Sequence, residues 1–103
     1  MFIAMNRFKV LPGAEAMFEE VWASRDTHLP GVPGFVSFYL LRGSTRDDHT
    51  LYSSHTIWRD KAAFEAWTQS EAFRHAHRNA GGNRSLYLGH PEFEGFTVVQ
   101  SVE

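Results

Sequence analysis

Apolar and polar residues alternate over residues 2–10, with Phe2, Ala4, Asn6, Phe8 and Val10 on one side and Ile3, Met5, Arg7 and Lys9 on the other. A period of two marks a strand, because successive side chains leave the pleat on opposite faces. Pro12 and Gly13 end it. The period then lengthens to that of a helix over residues 14–25, where Ala14, Met17, Phe18, Val21 and Trp22 form an apolar stripe and Glu15, Glu19 and Glu20 lie outside it. The stretch LPGVPG, residues 29–34, is a loop that delivers the chain into a second strand over 35–42, and the following GSTRDD predicts a hairpin turn. A third strand over 49–58 puts Tyr52, Ser54, Thr56 and Trp58 on one face and Leu51, Ser53, His55 and Ile57 on the other. Neither face is purely polar, so cover is expected on both.

Asp60 is a fitting N-cap for a helix through Ala62, Ala63, Phe64, Ala66 and Trp67. A second short helix starts just after Trp67. Either Thr68 caps it, forming a capping box with Glu71, or Ser70 does. From there Phe73, Ala76 and His77 fall at i, i+3 and i+4 and share a face, while His75 and Arg78 point elsewhere. His77 is thus the inward-facing histidine of this helix. Gly81 and Gly82 stop the helix, and a last strand is expected over 93–102, interrupted early by Gly95. The order βαββαβ predicts an α+β, ferredoxin-like domain over residues 1–103, with both helical segments on one face of a four-stranded antiparallel sheet. The other face, carrying Ile3, Met5, Val36 and Tyr39, also needs cover, and a second copy of the chain supplies it most simply. A homodimer is expected.

Composition narrows the function. Nine Phe, three Trp and three Tyr in 103 residues are more rings than one small core needs, which points to an interface or a ligand pocket. The formal charge of −2, without runs of like charge, gives no footprint for nucleic acid. The absence of cysteine excludes disulfides, thiol nucleophiles and iron–sulfur ligation. No long apolar run suggests a membrane span, and the alternating first ten residues do not read as a signal peptide, so a cytoplasmic protein is expected. Phosphate loops, flavin fingerprints, Ser-His-Asp sets and paired-carboxylate motifs are not seen.

Three residues stand out. His77 is either a satisfied structural imidazole or a ligand. Asn6, a primary amide on an apolar strand face, must satisfy a nearby backbone group or point at a ligand. Trp67 reads first as core. His75 and His77, two apart on a helix, cannot chelate one ion together. His55 reads as a satisfied core or interface residue, and His28, His49 and His90 lie in or beside loops.

The stretch WTQSEAFRHAHRNAGG (residues 67–82), taken with Asn6, with PGF at 33–35 and with TIW at 56–58, resembles the IsdG-type, HmuQ-like heme-degrading monooxygenases of the antibiotic biosynthesis monooxygenase superfamily. The resemblance covers nearly the whole chain. It implies a homodimer whose two sheets form a shared α+β barrel, and an enzyme for which heme is both substrate and oxygen-activating cofactor. It further implies that His77 is the proximal ligand of the heme iron, that Asn6 donates an amide N–H toward bound oxygen, and that Trp67 presses on the macrocycle and ruffles it. Phe64 and Phe73 would enclose the porphyrin. Electrons would come from an external donor, a reductase or ascorbate, and iron and a bilin-type product would leave. Arg74, Arg78 and Arg84 are candidates for the propionates. Two other readings remain: a cofactor-free monooxygenase of the same superfamily acting on a polyphenolic substrate, and a non-catalytic heme carrier.

Overall fold

The first strand, β1 (Phe2–Val10), hydrogen-bonds along both edges and so occupies the middle of the sheet. The computed structural model describes residues 1–76 and 86–103. After β1 come α1 (Glu15–Ser24), β2 (Phe35–Thr45), β3 (Thr50–Trp58), α2 (Lys61–Thr68), α3 (Glu71–Ala76) and β4 (Tyr87–Thr97). The strands lie in the order β2-β3-β1-β4, every neighbouring pair antiparallel. This is the expected ferredoxin-like α+β arrangement. No helix among the described residues is long and apolar enough to cross a membrane.

The alternation of β1 holds residue by residue: Phe2, Ala4, Phe8 and Val10 are buried on the helix side, and Arg7 and Lys9 are exposed on the other. Asp60 caps α2, its carboxylate accepting the Ala63 N–H at 2.8 Å. That hydrogen bond holds the Asp60 carboxyl below its usual range. Of the two caps considered for α3, Ser70 is the one used. Its hydroxyl oxygen accepts the Phe73 N–H at 3.1 Å and donates to the Trp67 carbonyl at 2.6 Å. Thr68 is instead the last residue of α2 and donates to the Glu65 carbonyl.

Three expectations need correction. β2 continues through Thr45, with its register against β3 shifting between Arg42 and Thr45, so the turn is confined to residues 46–49. There the Arg46 N–H donates to the His49 carbonyl at 2.7 Å. β4 begins at Tyr87 and stops at Thr97, rather than running over 93–102. Its start was disguised by Gly89 and Pro91, which fall in a bulge where the register slips between Arg7 and Lys9 of β1. It ends where its partner ends: Phe2 faces Thr97, and beyond that only Val98 N–H reaches the Met1 carbonyl. Met17 is 61% exposed, because the buried stripe of α1 centres on Phe18 and the preceding residue lies about 100° around the helix. His55, read as a core or interface residue, has its Nδ1 buried on the open face of the sheet without a hydrogen-bond partner among the described residues of this chain.

The core divides into two clusters. One gathers Phe2, Ala4, Leu29, Trp58, Ala63 and Trp67, and the other Phe8, Val10, Phe18, Tyr52 and Leu86. In the second, the Tyr52 hydroxyl donates to the Glu19 carboxylate, and burial, together with that carboxylate, pushes its pKa up to about 12. The loop before β2 locks onto the first cluster at Gly34. Gly34 has φ +83°, a Cβ there would lie 2.4 Å from Ala63 Cβ, and its carbonyl accepts the Arg59 N–H at 2.7 Å. Gly34→Ala should therefore lower stability by about 2–4 kcal/mol, a left-handed residue and a clash combined. Urea unfolding checks this, and a loss below about 0.5 kcal/mol would mean that the loop is free to move away.

Candidate active site

The two core clusters do not meet across the whole sheet. Between them β1 offers Asn6, and β3 offers Ser54 and Thr56, where large apolar residues would have closed the core. The register aligns Leu40, Ser54, Asn6 and Phe93 in one row across the four strands, and Phe38, Thr56, Ala4 and Gly95 in the next. Above these rows lies a cavity of about 410 Å³. Its floor is formed by Ala4, Asn6, Phe38, Ser54, Thr56 and Phe93. Trp22 and Arg25 close it from the end of α1, Thr27 and Leu29 from the following loop, and Phe64, Trp67, Thr68, Phe73 and Ala76 from α2 and α3. A larger depression of about 990 Å³ lies on the opposite face, around Arg7, Lys9, His49 and His90, and is lined mainly by charged and polar side chains. A ligand pocket is apolar with a few convergent polar groups, and the smaller cavity has that character.

The apolar walls are rigid because rings back one another. The Trp67 ring lies 6.1 Å from Trp58 and 5.5 Å from Phe73, nearly perpendicular to the latter. Phe64 and Phe93 stack with rings 5.6 Å apart and 10° between planes, and Trp22 stacks on Phe38 at 5.7 Å and 19°. Trp67, 6% exposed, is therefore a core residue and a pocket wall at once.

Two polar residues of the lining are used by the fold, Thr68 donating to the Glu65 carbonyl and Thr27 accepting the Leu29 N–H. Asn6 lines the cavity and makes no side-chain hydrogen bond among the described residues. Arg25 stacks its guanidinium 4.3 Å over the Trp22 ring and has no carboxylate within ion-pair distance among the described residues. Burial lowers its pKa, the mark of a cation partly stripped of water. Arg74, by contrast, is exposed and paired with Glu71 at 2.7 Å.

Of the residues singled out from the sequence, Asn6, Phe64, Trp67 and Phe73 come together around this cavity. His77 lies outside the described residues, as do Arg78, Arg84, Gly81 and Gly82. Sequence reasoning missed Arg25, Ser54 and Thr56. The signals were present: Arg25 follows Val21 and Trp22 by four and three positions, and Ser54 and Thr56 are short polar residues on the same face as Tyr52 and Trp58.

The family model described as antibiotic biosynthesis monooxygenase matches residues 1–79. The chain belongs to that family. Among curated members, the heme oxygenase (staphylobilin-producing) of Staphylococcus haemolyticus is 32% identical over 82 residues, 77% of this chain and 75% of that protein. The matches span from 48% to 75% of the length of the first curated relatives. Two solved structures are similar over nearly the whole chain. SnoaB, a cofactor-independent oxygenase from Streptomyces nogalater, is 33% identical with a TM-score of 0.71, covering 98% of this chain and 95% of that one. A variant of MhuD, the Mycobacterium tuberculosis heme-degrader, with two manganese protoporphyrin IX molecules bound per active site, is 28% identical with a TM-score of 0.76, covering 100% and 99%.

An amide without a structural partner can be removed at little cost. Asn6→Ala should unfold within about 0.5 kcal/mol of the parent, whereas a buried amide with a structural partner would cost about 1–3 kcal/mol. Chemical denaturation of the ligand-free protein distinguishes the two.

Proposed function

We propose that the chain is a heme-degrading monooxygenase, cytoplasmic and homodimeric, that cleaves the porphyrin with dioxygen and electrons from an external reductase or ascorbate, releasing iron and a bilin-type product. The observation that carries this reading is the pairing of flat aromatic walls with polar groups that have no hydrogen-bond or ion-pair partner among the described residues, the Asn6 amide and the Arg25 guanidinium among them, in one cavity. A flat apolar ligand that bears an acid group fits both. The heme-degrading names of the curated relatives, and the porphyrins bound by MhuD, support it.

The residues then divide the work. Heme, as substrate, also supplies the iron that activates dioxygen. His77, four positions after the pocket-lining Phe73, gives an imidazole to that iron. Phe64 and Phe73 enclose the macrocycle, and Trp67, braced by Trp58, presses on it and distorts it. Asn6 offers an N–H toward dioxygen from the floor. Each oxygen insertion consumes dioxygen, an electron pair and a proton pair, and releases water. Arg25 takes the propionate role considered for Arg74, Arg78 and Arg84, since a desolvated cation gains most from a carboxylate.

A second reading, cofactor-free oxygenation of a polyphenolic compound, is favoured by the identity with SnoaB. That chemistry starts from a deprotonated, electron-rich substrate, and among the described residues the cavity lining holds no carboxylate or imidazole to take the proton. Hemin titration followed by ascorbate in air separates the readings. One hemin per subunit, with a Soret band that bleaches as iron is released, is expected. His77→Ala should lose turnover and change the heme spectrum, and Arg25→Ala should weaken binding about tenfold, because it removes a charge-assisted hydrogen bond to the ligand. A stable complex that is reduced without bleaching means a carrier, and no saturable binding brings the polyphenol reading forward.

The dimer rests on the open face of the sheet. Val36, Tyr39, Leu41 and Phe96 are exposed there, next to the unpartnered Nδ1 of His55. A self-complementary patch on a small chain is covered by a second copy. Sedimentation at micromolar concentration should give twice the chain mass, and Tyr39→Glu should return the monomer. A wild-type monomer at that concentration would dismiss the dimer.

A further inference from the structure

Ser54 is 6% exposed, lines the cavity floor, and its hydroxyl makes no hydrogen bond among the described residues. The neighbouring Ser53 hydroxyl donates to the Ser54 carbonyl, but nothing in the described fold uses the Ser54 side chain itself. That hydroxyl opens onto the cavity, and the sheet has no need of it: an alanine or valine would fill a strand position between Tyr52 and Thr56 as well. The residue directly opposite is Asn6, another polar group of the floor without a partner among the described residues. Side chains opposed across antiparallel strands have Cβ atoms about 4.5–5.5 Å apart, a separation that one oxygen atom can bridge by hydrogen bonds to both.

We propose that Ser54 and Asn6 form a two-point clamp for a single oxygen atom on the cavity floor: a water in the ligand-free protein, and the oxygen atom of a small ligand facing that floor when heme is bound. Asn6 contributes its N–H, and Ser54 its rotatable O–H, which donates or accepts as the occupant requires. The clamp rests on the heme reading for its second occupant. Its new content is that Ser54 is a ligand contact rather than a piece of the sheet. Two anchors, on strands joined by continuous backbone hydrogen bonds, hold an oxygen atom in place more narrowly than one amide does.

Carbon monoxide bound to hemin-loaded, reduced protein without air is the probe, because its C–O stretching frequency falls when a donor approaches the oxygen. Ser54→Ala should leave the ligand-free melting temperature unchanged or higher and keep hemin affinity within about twofold of wild type, while shifting the C–O band to higher frequency. Asn6→Ala, measured alongside, should shift it as well. A Ser54→Ala band that coincides with wild type while the Asn6→Ala band moves would overturn the clamp and leave the heme reading intact. A fall of several degrees in the melting temperature of Ser54→Ala would assign the hydroxyl to the fold and equally defeat it. If wild-type protein takes up no hemin saturably, both the clamp and the reading beneath it fall.

Discussion

The register of β1 between β3 and β4 is the constraint on which the site depends. A strand hydrogen-bonded on both edges cannot slide independently, and a slip of one residue would turn every side chain to the other face. In the observed register Asn6 faces the cavity, while Arg7 pairs with Glu94 at 3.0 Å on the opposite side. A slip would bury the arginine and expose Phe2, Ala4, Phe8 and Val10 together. Gly95 adds a steric pin: a Cβ there would lie 2.5 Å from the tip of the Phe2 ring, so that ring occupies space only glycine leaves. The apolar pattern of β1 thus does more than fill the core. It aims one polar side chain.

That side chain sits where the core is interrupted. Tyr52 and Phe8 anchor one cluster, Trp58 and Phe2 the other, and the short polar residues Ser54, Thr56 and Asn6 fall between them on adjacent strands. Cavities in a close-packed interior cost contact energy, so a persistent one needs walls that cannot collapse into it. Here the walls are rings held by other rings: Phe64 on Phe2 and Phe93, Trp67 between Trp58 and Phe73, and Trp22 on Phe38. The surplus of aromatic residues visible in the composition goes into these walls as well as into the core.

Periodicity made most of the fold legible. The alternation in β1 and β3, the helical stripe around Phe18 and the Asp60 cap each follow from local physics that tertiary contacts then reinforce. The edges of β2 and β4 were not legible, because both carry bulges. Gly43 and the Gly89 to Pro91 segment look like strand breakers, yet pairing with a long neighbour carries the chain across them. At the site, Asn6, Phe64, Trp67 and Phe73 were found as odd or motif-borne residues. Arg25 escaped because it lies just past the last turn of α1, where a solvated arginine is the ordinary expectation. Its place in the cavity lining, the Trp22 ring beneath it and the absence of a described carboxylate partner mark it as different.

Trp67 is buried in the core and lines the cavity as well, so core and candidate site need not be alternatives. A tryptophan that pushes on a flat ligand is pushed back equally, and a ring free to rotate would yield before the ligand did. Trp67 cannot yield easily: Trp58, fully buried, lies behind it, and Phe73 meets its edge from α3, whose first turn is capped by Ser70. The same Ser70 hydroxyl donates to the carbonyl of Trp67, so the cap of α3 and the backbone carrying the ring are tied at one atom. Tertiary packing is therefore the source of whatever force the ring applies. If Trp67 acts on heme as proposed, substitutions behind the ring, at Trp58 or Ser70, would bear on the chemistry through the stiffness of the wall as well as through stability.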